Sequence, residues 1–158
     1  MSELRYEAPE LVEAAVALLA GDSSAAKVFA GGTDLLVQMR EEMIEPTLLV
    51  DIKKIAEART ITVGADNIII GAGVCSAELK EHAKLSAAWP GLVEAARLIG
   101  SEQVQSRATL GGNLCNASPA ADSVPAMVAA NASAVVAGPN GTREVAAAYI
   151  PTGPGATS

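Results

Sequence analysis

Aromatic residues are scarce in this chain: one Trp, two Tyr and one Phe, 3% of 158 positions. Binding of single-stranded nucleic acid without sequence preference relies on rings that stack against bases, so this shortage argues against it. Basic residues are also few, 11 against 18 acidic ones, for a formal charge of −7. A chain of that sign does not attract polyanions through its overall field. Any phosphate it binds must be held by local backbone N–H groups. Histidine occurs once, at His82, and cysteine twice, at Cys75 and Cys115, with no CxxC. That spacing offers neither a disulfide framework nor a zinc site, and it falls short of a four-cysteine iron–sulfur ligand set. No His, Cys or paired-carboxylate constellation reads as catalytic, so catalytic residues and metal ligands are both expected to be none. No apolar run approaches the roughly 20 residues of a membrane helix, and residues 1–10 carry no basic-then-apolar leader. The expected setting is cytoplasmic and reducing.

What is abundant is aliphatic: hydrophobic residues make up 50% of the chain. The length suits one domain or two small subdomains sharing a ligand, and roughly 70% of the unfolded surface can be buried at this size. Residues 9–20 read as a helix opened by Pro9 and closed by Gly21, with Leu11, Ala15, Leu18 and Leu19 as its apolar stripe. A strand at 27–29, a helix starting near Thr33 or Asp34, and a strand at 47–52 complete a small α/β unit. The next part is α+β. Strands at 60–63 and 67–70 flank a hairpin turn. Helices are predicted over 76–84, 90–99 and 122–130, the second with Leu92, Ala95, Ala96 and Ile99 on one face. Residues 103–119 lack periodicity. Strands at 133–137 and 142–145 surround Asn140-Gly141, a type I′ turn signal. Residues 151–155 are turn-rich, and the chain reads as cut between subdomains there, with a flexible tail as the alternative.

Two glycine pairs stand out. Ala30-Gly31-Gly32-Thr33-Asp34-Leu35 lies between a strand and a helix, where glycine lets the backbone approach a ligand closely and a helix start presents free N–H groups. Thr109-Leu110-Gly111-Gly112-Asn113 is followed by Ala117-Ser118-Pro119 and Asp122. Here Thr109 and Asn113 offer a hydroxyl and an amide, and Asp122 can accept from sugar or ribityl hydroxyls. Each pair alone reads more readily as a tight turn, with Thr33 or Asp122 as a helix cap. Together they suit one extended diphosphate ligand clamped between two amide-lined walls. Arg107 could add charge beside the second pair, or simply be exposed. Ile70-Gly71-Ala72-Gly73 imitates a Rossmann start, but Ser76 stands where a third glycine is required and no strand follows, so it reads as a buried strand entering a turn. His82 reads as a surface residue. Cys115 could approach the ligand or be a small buried residue.

The stretches Phe29-Ala-Gly-Gly-Thr-Asp-Leu-Leu36 and Ala108-Thr-Leu-Gly-Gly-Asn-Leu-Cys-Asn-Ala-Ser-Pro-Ala-Ala-Asp122, with Leu49-Val-Asp-Ile52, Ile70-Gly-Ala72 and Thr152-Gly-Pro-Gly155, carry a resemblance over essentially the whole chain. The sequence resembles the FAD-binding medium subunit of molybdenum hydroxylases, the group of the carbon monoxide dehydrogenase medium chain and the xanthine dehydrogenase flavin domain. The resemblance implies an α+β FAD-binding fold of two subdomains, over 1–55 and 56–150, with 151–158 as a truncated linker to an absent third one. It implies that Val28, Phe29, Ala30, Gly31, Gly32, Thr33, Asp34 and Leu35 wrap the pyrophosphate. Thr109, Gly111, Gly112 and Asn113 then form the second wall, and Asp122 binds polar groups of the flavin chain. It further implies an oxidoreductase subunit passing electrons from [2Fe–2S] clusters on a small subunit to an external acceptor, with substrate oxidised on a molybdopterin large subunit. A non-catalytic scaffold of the same complex and a stand-alone flavin oxidoreductase are the alternatives.

Overall fold

The structure, a computed structural model, describes residues 4–21 and 25–158. Its first part is a three-stranded parallel sheet in which β1 (Arg5–Glu7) and β2 (Ala26–Phe29) flank a central β3 (Leu48–Asp51). Parallel neighbours need crossover connections; α1 (Val12–Gly21) lies between β1 and β2, and α2 (Leu35–Arg40) between β2 and β3. All four residues of β3 are buried, so both faces of the central strand are covered, since successive side chains point to opposite faces. Ala15 of α1 packs with Leu48, Val50 and Ile55, and with the half-buried Leu18 and Leu19, to form a first core. Leu11, assigned by periodicity to that stripe, precedes the helix and is exposed. β1 has no sequence signature because Arg-Tyr-Glu is short and polar; only pairing with β3 makes it a strand.

Two 3-10 turns, Ile52–Lys54 and Glu57–Arg59, lead into the second part. There β4 (Ile61–Val63) and β5 (Ile68–Ile70) form the expected antiparallel hairpin. β5 is not a buried strand: Ile69 is 60% exposed while Ile68 and Ile70 face the core. The helix predicted over 76–84 is two helices, α3 (Ser76–Glu81) and α4 (Ala83–Ala88). They break at His82, which leaves the helical region and caps α4 by accepting the Leu85 N–H on Nδ1 at 3.1 Å. His82 is thus a half-buried cap and not a free surface residue. α5 (Pro90–Leu98) buries the predicted face, Leu92, Ala95 and Ala96, with Val93 added.

The aperiodic stretch is helical after all, as α6 (Glu102–Gln105) and α7 (Leu110–Asn116). Paired glycines in the first turn of α7 weaken its local signal; burial of Leu110 and Leu114, one turn apart, supplies what propensity lacks. After α8 (Ser123–Ala129) come β6 (Ser133–Gly138) and β7 (Gly141–Ala146), antiparallel over six residue pairs. Their turn is not type I′. Gly138 pairs with Gly141, so Pro139 and Asn140 are the central residues; the Pro ring enforces a negative φ, and Gly141 instead takes the positive one, +106°. A 3-10 turn at Ala147–Tyr149 leads to β8 (Pro151–Gly153) and β9 (Ala156–Thr157), a small hairpin tied to α7 by the Gly155 N–H on the Ala117 carbonyl at 3.1 Å. Residues 151–157 are therefore folded against the body, where a connecting linker was expected. The second core joins Val74, Leu79, Leu85, Leu92, Val93, Ala96, Leu110, Leu114, Met127, Ala147 and Ile150. Among the described residues, no helix is long and apolar enough to cross a membrane.

Candidate functional site

The three parallel strands end, at their carboxyl side, in Glu7, Phe29 and Asp51. In open α/β sheets ligands settle beyond the carboxyl ends of the strands, and the first glycine pair lies there. Val28 and Phe29 are still β2; the turn proper is Ala30 to Asp34. Gly32 has φ +78° and stacks on Phe29: a methyl group there would lie 2.4 Å from the ring. Only glycine meets both demands. The first backbone bond of α2 is Leu36 N–H to the Gly32 carbonyl, 3.0 Å. The amides before it are the orphans of a helix start. At six residues α2 adds little macrodipole, so what this turn offers an anion is its local N–H groups. Asp34 occupies the cap position but makes no capping bond, so neither it nor Thr33 closes the helix as a side-chain cap.

Beneath the turn is a group that sequence reading passed over. Lys53 Nζ bonds the Ala30 carbonyl at 2.8 Å and Asp51 Oδ1 at 2.8 Å, and sits 4.1 Å over the Phe29 ring, a favourable cation–π placement. Asp51 also accepts from the Tyr6 hydroxyl and from the Lys53 N–H. Burial pushes the Asp51 carboxyl up, but the bonds from Lys53 and Tyr6, with the Lys53 charge, outweigh it and hold the group below its ordinary range. The hydrogen bond to Asp51, then burial, then the charge of Asp51 push the Tyr6 phenol above its ordinary value. The one sequence hint, Asp51 within Leu49-Val-Asp-Ile52, named neither partner.

The second glycine pair is not a loop but the first turn of α7. Thr109 is its N-cap, accepting the Gly112 N–H on Oγ1 at 2.9 Å. That bond occupies one donor of the pair, and the antiparallel bridge between Cys75 and Thr109 directs the Leu110 N–H toward the Val74 carbonyl; helix geometry leaves the Gly111 amide without an intrahelical partner. Asn113 turns its Oδ1 to Ser123, taking the Ser123 hydroxyl at 2.6 Å and the Ser123 N–H at 3.3 Å, so what it keeps for a ligand is the amide NH2. Asp122 is exposed at the start of α8 and makes no side-chain capping bond, which sets aside its reading as a cap. Cys115 is exposed on α7 and not a buried filler. Arg107 is exposed.

The turns meet. A methyl group at Gly31 would lie 2.2 Å from the Arg107 carbonyl oxygen and 3.1 Å from the Ala108 Cα, so the first turn rests on the backbone that enters the second. Gln38 of α2 also bonds Asn116 of α7, Nε2 to Oδ1 at 3.2 Å. The false Rossmann segment proves to be a floor. Gly111 lies against Ala72, where a methyl would come within 2.9 Å, and Gly71 lies against the Ala58 backbone. Ser76 N–H bonds the Ala108 carbonyl at 2.8 Å. Arg59 ties this floor down through the Gly73 carbonyl and Glu78, and Glu78 accepts the Cys75 N–H at 2.9 Å. Two open depressions, of about 300 and 270 Å³, lie elsewhere, one beside Arg59 and His82 and one at the β6–β7 turn. Neither is lined by the glycine turns or has their donors.

The family described as the FAD binding domain in molybdopterin dehydrogenase matches residues 2–158. The carbon monoxide dehydrogenase medium chain of Hydrogenophaga pseudoflava is 39% identical over 142 residues, 90% of this chain and 50% of that protein. The xanthine dehydrogenase FAD-binding subunit of Escherichia coli O157:H7 is 37% identical over 145 residues, 91% of this chain and 49% of that one. In solved structures, a chain of the Hydrogenophaga pseudoflava carbon monoxide dehydrogenase superposes with a TM-score of 0.94 at 37% identity, over 98% of this chain and 54% of its own. A chain of quinoline 2-oxidoreductase from Pseudomonas putida 86 gives 0.93 at 28% identity, over 98% of this chain and 54% of its own. The chain thus spans about half the length of the curated relatives it matches. Its paired glycine turns, its fold and its sequence agree: the chain belongs to the family of FAD-binding domains of molybdopterin dehydrogenases.

Proposed function

We propose that this chain supplies FAD-binding walls to a molybdenum-containing hydroxylase or dehydrogenase, a hetero-oligomer. In this reading electrons arrive from the [2Fe–2S] clusters of a small subunit and leave for an external acceptor, while a molybdopterin large subunit oxidises the substrate. The observation that carries the proposal is the contact of the Gly31 turn with the backbone leading into the Gly111 turn. The Gly31 turn and the backbone that enters the first turn of α7, from distant parts of the chain, are thereby in contact, which suits one diphosphate better than two separate anions. The residues fit the group. A chain of charge −7 needs amide donors for phosphate, and the exposed carboxylates of Asp34 and Asp122 are acceptors for hydroxyls further along a dinucleotide.

FAD, when bound, supplies the redox chemistry, and the protein contributes orientation and electrostatics. The turn from Ala30 to Leu35 is assigned to the pyrophosphate, with Val28 and Phe29 as its strand base. Thr109, Gly111, Gly112 and Asn113 are assigned to the opposite wall, and Asp122 to polar groups of the flavin chain. We assign subdomain limits near 55 and 150, consistent with the two separate cores.

Titration of the chain with FAD, followed by flavin fluorescence, tests the assignment. A Cβ at Gly112 would lie 2.9 Å from Thr109 Oγ1, so Val there crowds the cap of α7 at the start of the assigned wall. A loss of affinity of about tenfold or more is expected, or about 1.4 kcal/mol. Equal affinity in a variant with intact far-UV circular dichroism refutes the placement of that wall. A complex that assembles with its partner subunits yet takes up no flavin supports the scaffold reading instead.

A further inference from the structure

The strand-end cluster has a consequence for the ligand that none of the glycine positions reveals. We infer that Lys53 is a positioning residue that fixes the peptide between Ala30 and Gly31 so that the Gly31 N–H is presented to a diphosphate. The inference rests on the reading of the first turn given above. A peptide is planar and trans, so its C=O and N–H point in opposite directions. Lys53 Nζ holds the Ala30 carbonyl at 2.8 Å. The Gly31 N–H of that peptide therefore points away from Lys53, and no backbone acceptor takes it among the described residues. Lys53 is itself held: Asp51 pairs with it at 2.8 Å, the Phe29 ring lies under it, and Tyr6 fixes the other carboxylate oxygen. Without this anchor, glycine on one side of the peptide allows it to rotate and turn its carbonyl outward. An outward carbonyl repels the phosphate that the amide attracts.

The test compares the parent chain with Lys53→Met and Lys53→Arg, using FAD, ADP and riboflavin as probes and the Gly31 amide resonance as an independent readout. Lys53→Met is expected to weaken FAD and ADP about tenfold, to leave riboflavin unchanged, and to move the Gly31 amide resonance before any ligand is added. Lys53→Arg, which keeps a donor over the ring, restores most of the ADP affinity. A general loss of structure weakens all three probes and is not rescued by Arg. If the Met variant does not fold, Tyr6→Phe removes only the hydroxyl at the rim of the cluster; weaker ADP binding supports the inference and unchanged binding overturns it. ADP affinity equal to the parent's in Lys53→Met overturns the role of Lys53 while leaving the turn reading intact. A Gly31 resonance in the parent chain that ADP does not move overturns the turn reading itself.

Discussion

Asp51 sits at the end of the buried central strand and receives the Tyr6 hydroxyl, the Lys53 ammonium and the Lys53 amide. Its folded-state pKa is below its ordinary value, so the stability it contributes is complete above its unfolded pKa of about 4. That contribution is lost as pH falls through the lower folded value. Replacing Asp51 with Asn is expected to cost about 1–3 kcal/mol at neutral pH, the range spanned by neutral and charge-assisted hydrogen bonds. The gap between parent and variant should narrow steadily on acidification. Urea unfolding of both proteins at a series of pH values measures it, and a gap that stays constant down to about pH 2 contradicts the linkage. Glu78 is also held below its ordinary range: the Cys75 and Arg59 contacts outweigh its burial. It is common to both proteins, so its slope cancels in the difference. The same residue-scale logic explains the glycines. Gly32 needs its positive φ, whereas Gly31 needs only the absence of a side chain against Arg107.

At the scale of elements, most helices here are short and their ends decide where they stop. α2 closes in a six-to-one, five-to-two pattern: Met43 N–H reaches the Gln38 carbonyl at 2.9 Å and Glu42 N–H the Met39 carbonyl at 3.2 Å. The residue that must turn left-handed in such a cap is usually glycine, but here it is Glu42, at φ +57°. α8 closes the same way with Asn131, a residue that tolerates the region better. Glu42→Gly should therefore raise stability by about 1 kcal/mol, read as a higher urea midpoint at unchanged slope. A lower midpoint contradicts the cap assignment. Such ends are hard to see in advance, because Glu is no stop signal and Gly111-Gly112 reads as a breaker while starting a helix.

For the whole molecule, what matters is how the parallel-sheet part meets the α+β part. Each has its own hydrophobic core, and near the candidate site the joints are few: Gly31 on the Arg107 backbone and Gln38 on Asn116. A double-mutant cycle with Gln38→Ala and Asn116→Ala is expected to show a coupling of about 0.5–1.5 kcal/mol. The cycle is read from unfolding free energies, and a coupling of zero means that this bond does not join the walls. The residues of both turns were legible from sequence because a close backbone approach restricts the residue type at each position. Lys53 and Tyr6 were not, since a lysine two residues past a strand and a tyrosine near the start look like any exposed side chain.

Local chemistry written in the chain was enough to determine the mixed α and β character, the β4–β5 and β6–β7 hairpins, the apolar face of α5, the two glycine pairs and the family. These rest on patterns only a few residues long: alternation, helical spacing, and positions where a Cβ cannot be tolerated. Contacts between residues far apart in the chain were decided only by tertiary structure. They made Arg5–Glu7 a strand, turned 110–116 into a helix, made Thr109 a helix cap and left Asp122 without that role, and brought Gly31 onto Arg107. Sequence carries each partner's identity, but the pairing arises when burial of the two cores sets which segments lie side by side.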